Sequence, residues 1–145
     1  MNWKKTAIER LQEYNSRKVS LETIPEQLKT LELEYTTIKG ATNDETAVRS
    51  TTGAKDDAWI ANIVKRDELK KSLKIAESEC LITEKALETL TDEQIHILEM
   101  FYIYKEQGHV ERLSEELYVE RSRVYELKDE ALKQFTLACC GVIGY

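Results

Sequence analysis

The chain has 145 residues, of which 33% are charged and 41% hydrophobic, and it contains only five glycines and one proline. So few turn-forming residues exclude a β-rich fold and favour long helices. The apolar runs are too short to span a membrane, and the net charge of −6 counts against a nucleic-acid-binding protein. We therefore expect an all-α, cytoplasmic protein.

Two short helices are predicted at the N-terminal end from the 3.6-residue spacing of apolar side chains. The first covers about Trp3–Arg17 and carries a local excess of lysine and arginine. The second covers about Pro25–Lys39, because proline suits a first helical position and Gly40 then ends the helix. The polar stretch 40–56 contains two glycines, and we interpret it as a flexible loop.

A long third helix is predicted from about Asp57 to Leu90, which would span about 50 Å. Its apolar residues alternate spacings of four and three, as in a coiled-coil seam: Leu69, Leu73, Ala76, Cys80, Thr83, Leu87 and Leu90. The seam fits either dimerisation or an intramolecular helical hairpin. The mismatch in length with the second helix favours self-association, so residues 1–90 are predicted to be a scaffold that forms a homo-oligomer.

A run of basic residues on this helix is interleaved with Asp67 and Glu68; it comprises Lys65, Arg66, Lys70, Lys71 and Lys74. We interpret it as a solvated face with pairs four residues apart, such as Asp67 with Lys71. The alternative is a second surface that contacts DNA phosphates.

The segment 91–138 is predicted to be a helix-turn-helix domain, followed by an apolar tail at 139–145. Thr91 and Gln94 have the spacing of a capping box at the start of a helix that ends by Gly108. A short helix, Val110–Leu117, and a three-residue turn then lead to a longer helix from Arg121 to about Phe135.

The second helix of such a motif can lie in a DNA major groove about 12 Å wide, where outward side chains near its N-terminal end reach base edges. Arginine suits guanine, a serine hydroxyl is adaptable, and glutamate can accept a hydrogen bond from cytosine. With Arg112 from the preceding helix, the predicted DNA-binding residues are Arg121, Ser122, Arg123, Tyr125, Glu126, Lys128 and Arg112.

The strings LTDEQIHILEMFYI and GHVERLSEELYVERSRVYELKDEALKQF, within residues 90–135, resemble region 4 of sigma-70 factors. Framework positions that match are Leu113, Leu117, Val119, Val124, Ala131 and Leu132. The complete layout resembles the phage regulators of the ArpU and RinA group. This resemblance implies a regulator that binds double-stranded promoter DNA in the bacterial host cell and activates phage or prophage late genes with RNA polymerase.

Two positions depart from this pattern. Tyr118 stands where the turn commonly has glycine, and it is tolerated there if its backbone avoids positive φ. Glu120 replaces the usual serine or threonine cap of the recognition helix.

The net charge of the module is also unfavourable for DNA binding. Between Thr91 and Phe135 there are six basic residues against eleven acidic ones, a net charge of −5. The module alone should therefore bind DNA weakly.

The alternative function is a protein-interaction adaptor that binds RNA polymerase or another regulator without reading DNA, and the acidic charge favours it. We expect no enzyme, because no phosphate loop, nucleophile elbow or catalytic triad ordering occurs. No metal and no cofactor are expected either. His96 and His109 lack a second ligand at helical spacing, and the odd cysteine count, Cys80, Cys139 and Cys140, has no metal-type spacing.

Overall fold

The computed structural model describes residues 2–42 and 48–142 of the chain, and within those ranges it contains helices and no strand. The prediction of an all-α fold is therefore confirmed. In chain order the helices are α1 (Trp3–Thr42), α2 (Val48–Glu88), α3 (Asp92–Leu98), a π-helical turn (Glu99–Ile103), α4 (His109–Leu117) and α5 (Arg121–Cys140).

The two short N-terminal helices predicted from the sequence form one helix, α1, with Pro25 inside it. The prediction that Pro25 begins a second helix is wrong. Proline in a helix interior removes one hydrogen bond and costs about 3 kcal/mol relative to alanine. The residues before Pro25 contain no other helix breaker, and the neighbouring Ile24 is buried. Burial of this apolar face offsets the cost of proline, so the helix continues through it.

The predicted loop at 40–56 is wrong at both of its ends, because residues 40–42 belong to α1 and residues 48–56 belong to α2. Residues 43–47 lie outside the described part of the chain. One glycine inside a long helix costs about 1 kcal/mol, which is too little to end it. Glycine content and polarity therefore do not exclude helix at residues 40–42 and 48–56.

The chain divides into two compact units. One combines Met1–Lys18 with Ser78–Tyr145, and the other is Val19–Glu77. The predicted domain boundary near residue 90 therefore falls inside the first unit, because the beginning of α1 and the end of α2 pack with the C-terminal helices.

The core of the first unit joins α1, α2, α3 and α5. Its fully or almost fully buried members are Ala7, Leu11, Ala86, Leu90, Leu98, Ala131, Leu132 and Phe135. Polar contacts flank this core on α1. The guanidinium of Arg10 donates to Glu79 at 2.9 Å, and the hydroxyl of Tyr14 donates to Glu84 at 2.8 Å. This core fixes α3 and α5 against the ends of the two long helices.

In the second unit, α1 and α2 pack through aromatic and polar side chains. The amide of buried Asn62 donates to the carbonyl oxygen of Leu31 at 2.9 Å. The rings of Tyr35 and Trp59 lie 5.6 Å apart, and the guanidinium of Arg66 lies 4.6 Å from the centre of the Tyr35 ring. A polar side chain among apolar contacts fixes the register of paired helices, and Asn62 occupies such a position.

The coiled-coil seam predicted on the third helix is covered within a single chain. Ala76, Cys80, Thr83 and Leu90 are buried, and the remaining seam residues are half-buried. The intramolecular hairpin therefore accounts for this seam. The length argument that favoured self-association through it fails, because α1 is long enough to face α2 in each unit.

The C-terminal helix extends beyond its predicted end near Phe135 to Cys140. Of the predicted apolar tail, residues 139 and 140 are therefore helical, and residues 143–145 lie outside the described part. Cys139 packs against the core of the first unit. Across the described ranges, we find no helix whose length and apolar character would let it traverse a lipid bilayer.

Candidate nucleic-acid interface

The C-terminal module begins at the predicted capping box, which the structure confirms. The Thr91 hydroxyl oxygen accepts from the Gln94 backbone N–H at 3.2 Å, and the Gln94 side-chain oxygen accepts from the Thr91 N–H at 3.1 Å. Both N–H groups would otherwise lack a partner at the start of α3. The helix then passes into the π-helical turn, which buries Met100 and Phe101.

A second apolar cluster lies under α4 and α5 and holds these helices against α3. Its buried members are Ile97, Met100, Phe101, Val110, Leu113 and Val124, with Leu117, Val119 and Leu127 packed around them. Val124 comes from the first turn of α5 and is fully buried. The side chains on the opposite side of that turn therefore face solvent.

A three-residue turn, 118–120, joins α4 to α5, and Ser114 holds it by two hydrogen bonds. The Ser114 hydroxyl donates to the carbonyl oxygen of Val119 at 2.5 Å, and the Ser114 carbonyl accepts from the Val119 N–H at 3.2 Å. Val119 itself packs on the apolar cluster. The turn is thus fixed from the last turn of α4 and from the core beneath it.

Tyr118 was expected to be tolerated in the turn if its backbone avoided positive φ, and this condition is not met. Its backbone has φ 55° and ψ 43°, which is the left-handed helical region. An L-residue there costs about 1–2 kcal/mol. The residue after a helix often adopts this conformation because its N–H can then bond back into the helix, and the Tyr118 N–H donates to Ser114. The side chain is 94% exposed, so its packing offsets little of this cost.

Glu120 occupies the cap position of α5 without forming a side-chain cap hydrogen bond. This agrees with glutamate being a poor cap. The first turn of α5 has no acidic side chain, but it does carry two arginines, Arg121 and Arg123.

The structure exposes five of the seven predicted DNA-binding residues along the first turns of α5: Arg121, Ser122, Arg123, Tyr125 and Glu126. Arg112 is exposed on α4. Lys128 differs, because its side chain is only 18% exposed. Its ammonium lies 5.7 Å from the centre of the Phe101 ring and 6.0 Å from that of Tyr125. Lys128 thus covers the apolar cluster, and less of its charge is available to a ligand.

Each of the four cations in the predicted set is held by a carboxylate of the protein. Arg121 pairs with Glu111 at 2.7 Å, and Lys128 pairs with Asp129 at 2.8 Å. Arg123 contacts two carboxylates at 3.0 and 3.5 Å, and Arg112 also has one; these three partners are Glu126, Glu130 and Glu106. The surface that carries the arginines is therefore neutralised by the protein itself.

The pKa values of these cations follow from their partners. The hydrogen bond that Arg123 donates to Glu126 and the charge of Glu130 raise the pKa of Arg123. Burial lowers the pKa of Lys128, but the hydrogen bond to Asp129 and neighbouring negative groups outweigh it and raise the pKa overall. Both groups are fully charged at neutral pH, so pairing and not deprotonation reduces their effect on a ligand.

The sequence analysis identified the cations but none of their carboxylate partners. The spacing of Arg123 and Glu126, three residues apart on one helix, is a local signal that could have been used. Glu111 lies on α4, and its approach to Arg121 across the turn depends on how α4 and α5 pack. No sequence pattern gives that contact.

The two histidines have structural contacts. His96 on α3 meets Glu116 on α4 at 2.7 Å, and His109 lies edge-on to Phe101 with ring centres 4.6 Å apart. No metal-binding group of three or more histidine, cysteine or acidic side chains occurs within the described residues 2–42 and 48–142.

Comparisons with known proteins give no relative: no family model, no curated protein and no solved structure matches this chain.

Proposed function

We propose that this protein is a sequence-specific, DNA-binding transcription regulator that reads a promoter through the first turns of α5. The observation that carries the proposal is the α4–turn–α5 arrangement. Val124 is fully buried on one side of the first turn of α5, while Arg121 and Arg123 are exposed. An α-helix fits the major groove, and exposed residues near its N-terminal end meet the bases there.

The genes that the protein would regulate are proposed from two resemblances, that of residues 90–135 to sigma-70 region 4 and that of the whole layout to the ArpU and RinA group. On that basis the protein activates late genes of a phage or prophage in the cytoplasm of its bacterial host, together with RNA polymerase. The protein acts without enzymatic chemistry. A reporter placed behind a late promoter in that host tests the sign of regulation, and repression of the reporter would contradict activation.

The ion pairs at the site reduce the affinity that the arginines can contribute to DNA binding. A DNA phosphate or base that engages Arg121 competes with Glu111, and one that engages Arg123 competes with Glu126 and Glu130. Exposed ion pairs contribute only about 0–1 kcal/mol each. The exchange is therefore feasible, but it removes part of the gain from each new contact, and affinity should be low at physiological salt.

Two double variants separate base reading from general charge. Arg121→Ala/Arg123→Ala removes both cations, whereas Arg121→Lys/Arg123→Lys keeps the charge and removes the planar fork that binds guanine. The assay is enrichment of binding sites from a pool of random DNA duplexes, followed by titration on the selected site. We expect the alanine variant to lose binding and the lysine variant to retain non-specific binding but lose sequence preference.

If both double variants select the same sites as the parent with unchanged affinity, α5 does not read DNA. Loss of binding in the alanine variant with unaltered preference in the lysine variant would mean that these side chains contact phosphates only. The matched control is Lys85→Ala, which removes an exposed lysine in the last turn of α2, outside the α4–turn–α5 segment.

A second candidate function is an adaptor that binds RNA polymerase without reading DNA. The observation that favours it is the neutralisation of all four cations within a module of net charge −5. A pull-down of purified RNA polymerase by the protein, combined with no enrichment of any duplex at low salt, would favour the adaptor. In that case Arg121→Ala/Arg123→Ala would leave the pull-down unchanged.

A further inference from the structure

Within the unit Val19–Glu77, helix α2 has two opposite faces, and only one of them is covered. The inner face contains Asn62, Leu69 and Leu73, which are buried or half-buried against α1. On the other side of the helix, four large aliphatic side chains are 41% to 60% exposed: Ile60, Ile63, Val64 and Ile75. At 100° per residue their Cα atoms lie on the side away from Asn62 and Leu69. We call this side the outer face.

The four aliphatic side chains of the outer face are not scattered. Ile60, Ile63 and Val64, with Asp67 one turn further on, have the spacing of i, i+3, i+4 and i+7. In paired helices these four positions form the hole that receives one side chain from a partner helix. Ile75 is a single exposed aliphatic side chain further along the same face, and it has the size to fill such a hole. One helix thus carries both a hole and a side chain that fits it.

The charges between these two apolar parts determine the orientation of a partner. Asp67, Lys71 and Lys74 lie on the outer face and are exposed. The sequence favoured an ion pair between Asp67 and Lys71, but neither of these two forms one with any residue in the described part of the chain. A parallel, in-register copy of α2 would bring Asp67 against Asp67 and Lys71 against Lys71. An antiparallel copy brings each Asp67 against Lys71.

We propose that two copies of this protein associate through the outer faces of their α2 helices in an antiparallel, two-fold arrangement. Ile75 of each copy enters the hole formed by Ile60, Ile63, Val64 and Asp67 of the other. Asp67 of each copy pairs with Lys71 of the other. An interface of two-fold symmetry must be self-complementary, with residue i meeting j and j meeting i. Both the apolar and the charged parts of this face meet that requirement.

The partner is a second copy of this chain because one helix face supplies both halves of each contact. The interface is short, since it involves about one helix face over four to five turns, so it falls at the low end of stable protein interfaces. We expect a dissociation constant in the micromolar range. This inference does not depend on the proposed DNA binding, because its measurements contain no DNA.

The first experiment measures the mass of the complete protein by sedimentation equilibrium from about 1 to 200 μM. The parent should change from monomer to dimer over this range. Ile63→Glu/Val64→Glu places charges in the hole, and it should raise the dissociation constant at least about a hundredfold. The control Leu33→Glu changes a side chain on α1 that is 70% exposed, and it should leave the dissociation constant unchanged.

The second experiment tests orientation by exchanging the charges. Asp67→Lys and Lys71→Asp should each weaken the dimer about tenfold, because each places like charges opposite one another at two symmetric sites. The double variant Asp67→Lys/Lys71→Asp should restore the parent dissociation constant. Circular dichroism of every variant should match the parent, since all the changed side chains are exposed and outside the core.

Three results would overturn the proposal. The parent could remain a monomer at 200 μM. The dimer could persist unchanged in Ile63→Glu/Val64→Glu, which would place the interface elsewhere. Finally, the double charge exchange could fail to restore what the single changes lose, which would reject the antiparallel pairing. DNA binding by the parent in any of these cases would leave the proposed function standing.

Discussion

The turn between α4 and α5 contains a residue type that its backbone conformation disfavours, and replacing it should stabilise the protein. Tyr118 is the only non-glycine residue with positive φ in the described part of the chain. Its side chain is 94% exposed, so Tyr118→Gly removes almost no packing. The hydrogen bond from its N–H to Ser114 is made by the backbone and survives the change.

The expected gain follows from two opposing effects. Removing an L-side chain from the left-handed region gains about 1–2 kcal/mol. Glycine also gives the unfolded chain more freedom, which costs about 0.4–1 kcal/mol. The free energy of unfolding should therefore rise by about 1 kcal/mol. For a chain of this size that corresponds to an increase in melting temperature of about 4 °C.

Urea unfolding followed by circular dichroism measures this change, with Tyr118→Ala as the matched control. Alanine removes the same side chain but keeps the unfavourable backbone conformation, so its free energy of unfolding should stay close to that of the parent. The reasoning is refuted if alanine stabilises as much as glycine, because the side chain would then be the cause. It is equally refuted if glycine destabilises, because Tyr118 would then make contacts that its exposure does not show.

Further expectations concern other parts of the chain. Pro25→Ala should raise the free energy of unfolding by up to about 3 kcal/mol, since α1 is continuous through this position; an unchanged urea midpoint would contradict it. Thr91→Ala should lower it by about 1 kcal/mol by removing one half of the capping box, with Thr91→Ser as the control that retains most of it. Burial raises the pKa of the Cys139 thiol to about 11 from an ordinary 9.0, and burial with a hydrogen bond to Glu84 raises that of Tyr14. Because the folded protein holds the Cys139 proton more tightly than the unfolded chain, its contribution to the free energy of unfolding is fully present below pH 9 and is lost as the pH rises through 11. The urea midpoint should therefore fall over that interval, and it should fall less in Cys139→Ala. Glu111→Gln should release Arg121 and strengthen DNA binding, whereas Glu115→Gln on the same helix should have a smaller effect; equal effects would point to net charge alone.

The helices of the C-terminal module could be predicted from the sequence because their signals are local. The capping box at Thr91 and Gln94 depends on residues three positions apart, and it forms as predicted. The turn at 118–120 follows from the change in apolar spacing between the two flanking helices. Local spacing of this kind is independent of how distant parts of the chain pack.

The N-terminal half was less predictable because its helices are decided by packing. Pro25 is a real local signal for a helix boundary, yet α1 continues through it, and its neighbour Ile24 is buried. The seam on α2 was recognised, but its partner was not. A 4-3 pattern indicates that a helix face is covered and does not indicate by which helix.

The exposed cations of the site could be predicted from the sequence, but the side chains that surround them could not. That Arg121 and Arg123 face solvent follows from the helix period once Val124 is assigned to the core. That Lys128 lies over Phe101 depends on the π-helical turn, which brings that ring beneath α5. A π-helical turn has no simple sequence pattern, so this contact requires the structure.

The acidity of the module would make DNA binding depend on the proposed dimerisation through the exposed face of α2. Non-specific affinity for DNA rises with the number of phosphates neutralised, and each module offers few free cations because Arg121 and Arg123 are paired with carboxylates. A monomer of this kind would bind DNA weakly at any sequence.

If the protein forms the proposed dimer, its two modules would bind two half-sites together, and the second contact would occur at a high effective concentration. Low affinity per module combined with such a dimer would increase selectivity, because a single half-site in the genome would retain little protein. If Ile63→Glu/Val64→Glu makes the protein monomeric, it should therefore lower affinity for a two-half-site duplex much more than for a duplex with one. Equal losses on the two duplexes would show that the reading module works alone.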